Sequence, residues 1–102
     1  MKGTTEDLPF NENTLAFKVL GKMFALTNLE NFEFVNLKCD SERAIELREE
    51  FMEVNPAYHM SKKHWNAVRV DGAISDKQLK EWITDSYNLV VAKMPKKIKA
   101  QL

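Results

Sequence analysis

Three short runs of alternating apolar and polar residues, read in order from Thr14 to Cys39, commit this chain to a sheet. In the first, Leu15, Phe17 and Val19 fall on one side, with Ala16 and Lys18 between them. Met23 to Thr27 forms the second run. In the third, Phe32 to Cys39, the residues Val35, Leu37 and Cys39 share a face opposite Phe34 and Asn36. A period of two is the strand period, because successive side chains leave a pleated backbone on opposite sides. Gly21-Lys22 joins the first two runs with Gly leading, which predicts a type II′ turn where glycine accepts positive φ. Asn28 to Asn31 supplies the second turn. The segment reads as an antiparallel meander of three strands.

The period then changes. Asp40-Ser41 opens a helix predicted to run to Val54 and to stop before Asn55-Pro56. Ala44, Leu47, Arg48 and Phe51 form its inner stripe, with Ile45 and Met52 beside them, and Glu42, Glu46, Glu49, Glu50 and Glu53 cover the other side. Trp65 to Val70 reads as a fourth strand ended by Asp71-Gly72. Ser75 caps a long second helix, with Gln78 completing a capping box. Its stripe is Leu79, Trp82, Ile83, Ser86, Leu89, Val90 and Met94, at helical spacing. Pro95 ends it, leaving Lys96 to Leu102 as a basic tail or short last helix. The expected fold is one α+β domain over residues 1–102, with the meander and the fourth strand covered on one face by helices. Two helices cover only part of such a sheet. Leu8 and Phe10 lie in an opening segment that Pro9 makes too broken for a third.

Composition narrows the class. With 102 residues, 44% hydrophobic and 29% charged, the chain can bury one core and shows no disorder signature. No apolar run approaches the roughly 20 residues of a membrane span. Lys2-Gly3-Thr4-Thr5-Glu6-Asp7 lacks the apolar core of a secretory signal. Cys39 is the only cysteine, so an internal disulfide and a thiolate metal cluster are excluded, and a reducing cytoplasm is the expected location. Net charge is zero but unevenly spread. Residues 1–57 carry six Lys and Arg against eleven Asp and Glu, a net of −5, and residues 58–102 carry nine against four, a net of +5. The whole molecule therefore draws no polyanion by net charge, although a local basic surface remains open.

The segment Pro56-Ala57-Tyr58-His59-Met60-Ser61-Lys62-Lys63-His64-Trp65-Asn66 concentrates both histidines, two adjacent lysines and two aromatic rings without helix or strand periodicity. Loops of this kind carry binding groups because core packing constrains them less. Lys62, Lys63, His59 and His64 are suited to phosphate contact, Tyr58 and Trp65 to stacking, and Lys18, Lys22 and Lys38 to a second basic patch on strands and hairpin. The plainer account makes Trp65 a core anchor and Lys62 and Lys63 solvated. Lys93, Lys96, Lys97 and Lys99 read as cations that complement a helix end. His59 and His64, five apart on a loop without carboxylate or thiolate neighbours, do not form a metal pair, and no cofactor is expected. The glutamate row is the solvated side of a helix. Cys39 paired with a histidine would be the one nucleophile–base arrangement, but it falls on the inward strand face, where a thiol acts as a small hydrophobe. No phosphate loop or nucleophile elbow is present.

Taken together, the ordered stretches Glu6-Asp7-Leu8-Pro9-Phe10, Phe17-Lys18-Val19, Gly21-Lys22-Met23-Phe24-Ala25, Asn36-Leu37-Lys38-Cys39-Asp40, Pro56-Ala57-Tyr58-His59-Met60, Lys63-His64-Trp65-Asn66 and Ser86-Tyr87-Asn88-Leu89-Val90 resemble the MmcQ/YjbR-like family of small bacterial proteins. The resemblance implies a CyaY-like (frataxin-like) α+β fold and a role as a double-wing DNA-binding protein, proposed for the family from shape. It also implies a further helix ahead of the segment matching Lys2-Gly3-Thr4, which this domain is expected to lack. Its loss would leave apolar sheet surface open to association. The leading expectation is a non-enzymatic protein that binds DNA weakly, in a salt-sensitive manner, through the loop and hairpin lysines. The alternative is a protein–protein or small-ligand binding module using the 56–66 loop. Converging lysines favour nucleic acid; an acidic helix flanking the loop favours a protein partner.

Overall fold

The computed structural model describes residues 2–7, 14–28, 33–57, 60–70 and 73–102. In chain order the elements are β1 (Thr4–Asp7), β2 (Thr14–Val19), β3 (Lys22–Asn28), β4 (Phe34–Lys38), α1 (Ser41–Glu50), β5 (Val54–Pro56), β6 (Trp65–Arg69), α2 (Asp76–Ala92) and α3 (Lys96–Lys99). The six strands form one antiparallel sheet in the order β1-β2-β3-β4-β6-β5. The α+β class, the meander and the long second helix stand as expected, and the first helix begins where expected but ends four residues early.

Two strands were not legible as strands. β1 is Thr-Thr-Glu-Asp, without apolar alternation, and it holds its place at the sheet edge by pairing Thr4 through Asp7 against Val19 through Ala16. β5 lies where the helix was expected to continue. α1 ends at Glu50 because Phe51 turns to φ −122° and ψ 122°, and Pro56 then favours an extended Asn55. An edge strand tolerates that proline, since its missing N–H costs no ladder bond. Ending the helix early also corrects its inner stripe. Ile45 and Met52 stay outside, 54% and 91% exposed, while Ala44 and Leu47 are buried.

The first hairpin differs in a telling way. Val19 pairs with Lys22, so the two-residue loop is Leu20-Gly21 rather than Gly21-Lys22. Both loop residues have positive φ, 47° and 82°, the signature of a type I′ turn, and Leu20 takes a conformation that glycine or asparagine adopts more easily. The predicted Asn28–Asn31 turn lies partly, and Phe32, Leu8 and Phe10 wholly, outside the described residues.

Both long helices lie on one face of the sheet. Val19, Phe24, Val35, Leu37 and Val68 from the strands meet Leu47 from α1 and Trp82, Val90 and Met94 from the α2 side, and the Phe51 and Trp82 rings pack edge to face at 5.0 Å. The junction of helix and sheet turns on a bulge. Phe17 pairs with Ala25 but Lys18 pairs with Met23, so Phe24 is an extra residue in β3. The bulge lets Phe24 and Ala25, neighbours in sequence, both enter the core. On the other side of β3 the pairing with β4 begins at Ala25 and Leu37, which leaves the Phe24 carbonyl beyond that ladder. Ser86, with no exposed surface, donates its hydroxyl to that carbonyl at 2.6 Å and accepts the Lys38 N–H at 2.9 Å. One hydroxyl thereby satisfies two main-chain groups on adjacent strands.

Removing it strands both groups in the core, which costs about 2–3 kcal/mol. Ser86→Ala is expected to lower the urea midpoint by about 2 M with an unchanged slope, for a slope of about 1 kcal/mol/M at this chain length. A midpoint within experimental error of the parent would show that neither group depends on Ser86.

Candidate functional site

Strand register gathers the predicted lysines at one end of the sheet. The β2–β3 turn, the end of β4 and the start of β6 all lie there, because each neighbouring pair is antiparallel. Lys18 and Lys22 flank the turn, Lys38 ends β4 opposite Trp65, and Lys62, Lys63 and His64 precede β6. Four strands at about 4.8 Å spacing stretch this row over about 14 Å. Its members do not share one face. Residues opposite each other in a ladder point the same way. Lys22 opposes Val19 of the core, whereas Lys18 and Lys38 oppose Met23 and Trp65, which lie outside the main core cluster. Lys22, Lys62 and Lys63 are exposed, and Lys18, Lys38 and His64 are half-buried. Tyr58 and His59 lie outside the described residues.

The loop itself is braced from below. Ala57 N–H donates to the Trp65 carbonyl, while His64 and Trp65 N–H both donate to Ser61, closing tight turns under Lys62 and Lys63. Cys39 N–H donates to the His64 carbonyl at 2.7 Å, which docks the loop onto the end of β4. Trp65 is buried, 8% exposed, as an anchor should be, though outside the main cluster beneath α2.

Arg48 is the residue that sequence reasoning undervalued. It occupies an inner-stripe position of α1 because its guanidinium has work there. Nε donates to Asn66 Oδ1 at 2.7 Å, and Nη2 donates to the Lys62 carbonyl and, at 3.4 Å, to the Trp65 carbonyl. Asn66, 2% exposed, returns its amide to the Ala44 carbonyl at 3.3 Å. The planar fork of donors suits several acceptors at once. An arginine inside an otherwise apolar stripe was the available signal. The same contacts hold α1 against the loop.

Cys39 is half-buried, and burial pushes its thiol pKa up; Asp40 and Asp85 add to the rise while Arg43 opposes it. Such a thiol stays protonated and is a poor nucleophile. Among the described residues no three of His, Cys, Asp and Glu are grouped so as to hold a metal ion.

Arg48→Met is expected to cost about 2–3 kcal/mol, since it removes the guanidinium donors from the Asn66 amide oxygen and the Lys62 carbonyl. Arg48→Lys should recover less than half of that loss, because an ammonium cannot span the acceptors. Urea unfolding followed by tryptophan fluorescence checks both, and equal stability of the two variants would refute the fork argument. For Cys39, labelling by a thiol reagent near neutral pH should be slower than for a free cysteine, and should keep rising at pH values where the free thiol has levelled off.

Comparison with known proteins places this architecture. A family model described as YjbR matches residues 1–89. The protein named Uncharacterized protein YbdF from Escherichia coli O157:H7 is 38% identical over 90 residues, covering 87% of this chain and 74% of that one. Uncharacterized protein YjbR from Escherichia coli K12 is 35% identical over 79 residues, covering 76% of this chain and 67% of that one. The crystal structure of the Deinococcus radiodurans protein DR2400 superposes with a TM-score of 0.89 at 38% identity, over 97% of this chain and 77% of that one. The chain belongs to the YjbR family.

Proposed function

We propose that this protein is a non-enzymatic binding protein and that its ligand is DNA, held at the basic end of the sheet. The observation that carries this reading is the register that brings Lys18, Lys22, Lys38, Lys62 and Lys63, which are distant in sequence, onto one end. About 14 Å of duplex presents about eight phosphate charges, so a handful of lysines neutralises only part of what it faces. Binding of this kind is weak, insensitive to sequence and steeply dependent on salt. The protonated, half-buried Cys39 supports the non-enzymatic part of the proposal.

A protein partner is the second reading. Ile45 and Met52 stand exposed on and just beyond the acidic α1, which Arg48 sets against the same loop.

Anisotropy titrations of a short labelled duplex at rising salt test the first reading. With about four phosphates neutralised, log K should fall against log salt with a slope near −3.6, and Lys62→Glu/Lys63→Glu should reduce that slope by about 2. Lys77→Glu/Lys80→Glu, on the exposed first turns of α2 at the other end, makes the same charge change and should leave binding nearly intact. No binding at low salt, or equal losses in the two double variants, would sink the proposal. Capture from lysate that survives nuclease and is lost in Met52→Glu would favour the protein partner.

A further inference from the structure

α2 returns its C-terminal end to the β2–β3 turn, and a groove of about 470 Å³ opens between them. Met23, Val90, Met94 and Ile98 give it an apolar lining, and Lys22, Lys38 and Lys93 come to it from three different elements. No Asp or Glu lines it among the described residues. Lys93 caps α2, where a cation offsets the negative end of the helix dipole, and Lys22 and Lys38 add positive charge from the sheet side.

We propose that this groove binds a free organic acid with an aliphatic tail. The lining decides the tail. Two methionines and two branched aliphatic residues adapt to a flexible chain, whereas an unpaired nucleobase would want an aromatic surface, and the groove lacks one. The lysines decide the head: Lys22, Lys38 and Lys93 are among the lining residues and no acid is, so the rim favours an anion. The volume falls within the range of small-molecule sites, which combine an apolar body with a few polar groups that fix orientation. This site goes beyond the DNA reading but shares Lys22 and Lys38 with it, so the acid and DNA compete for the same two cations.

Calorimetric titration with decanoate below its micelle concentration tests this, with decanol as the tail alone and acetate as the head alone. One decanoate should bind per chain, at least about tenfold tighter than either control, equivalent to about 1.4 kcal/mol. Lys22→Gln/Lys93→Gln should weaken decanoate by about tenfold or more, and Ile98→Glu, which brings a carboxylate into the groove, should abolish binding while circular dichroism reports an unchanged fold. Lys62→Glu/Lys63→Glu should keep decanoate binding while losing DNA, so the two proposals fail separately. Decanol binding as tightly as decanoate, an unaffected Lys22→Gln/Lys93→Gln variant, or binding to anionic phosphatidylglycerol vesicles without binding to monomeric decanoate would each overturn the inference.

Discussion

A bulge in a central strand creates a problem that a single hydroxyl solves. By admitting Phe24 as an extra residue against β2, β3 turns two consecutive side chains into the core, and its pairing with β4 begins only at Ala25, leaving the Phe24 carbonyl outside that ladder. Ser86 fills the gap between β3 and β4 and joins both strands to α2. A larger side chain would hold the helix away from the sheet, and an alanine would leave the polar groups unpaired. The same helix–sheet contact includes the edge-to-face packing of Phe24 and Tyr87 at 5.4 Å.

Arg48 does for the loop what Ser86 does for the sheet. In each case a polar side chain lies where periodicity asks for an apolar one, and in each case main-chain carbonyls are what it serves. Surface lysines can only recognise a polyanion in a fixed pattern if the backbone beneath them is fixed. The basic end has that support, from the loop closed by Ala57 and Trp65 on one side to the tight Leu20-Gly21 turn on the other.

Much of the fold was legible because strong periodicity reports burial directly. The meander, the Asp40 and Ser75 caps and the α2 stripe follow from spacing and local hydrogen bonding, and the structure shows both caps accepting the expected N–H groups. β1 and β5 were hidden for different reasons. The first has no apolar residue to mark a face, and the second follows a helix whose amphipathic pattern runs past its end, where only the backbone change at Phe51 stops it. The lysines of the candidate site were legible individually. Their grouping was not, because it depends on strand order, and β5 and β6 sit in reverse of their chain order at the sheet edge. Lys93 joined them only through the direction in which α2 returns.

The two ends of the described chain are tied together. Lys2 Nζ donates to the Leu102 carbonyl at 3.1 Å, Tyr87 donates its hydroxyl to the Lys2 carbonyl at 2.5 Å, and Gly3 lies so close to Leu102 that a Cβ there would approach it to 2.7 Å. A contact between residues 100 apart closes nearly the longest loop this chain allows, and closure entropy rises with loop length. The contact between the ends carries the largest closure cost, so slow hydrogen exchange should concentrate in β3, β4 and α2, while the seam between the ends opens as a local unit ahead of global unfolding.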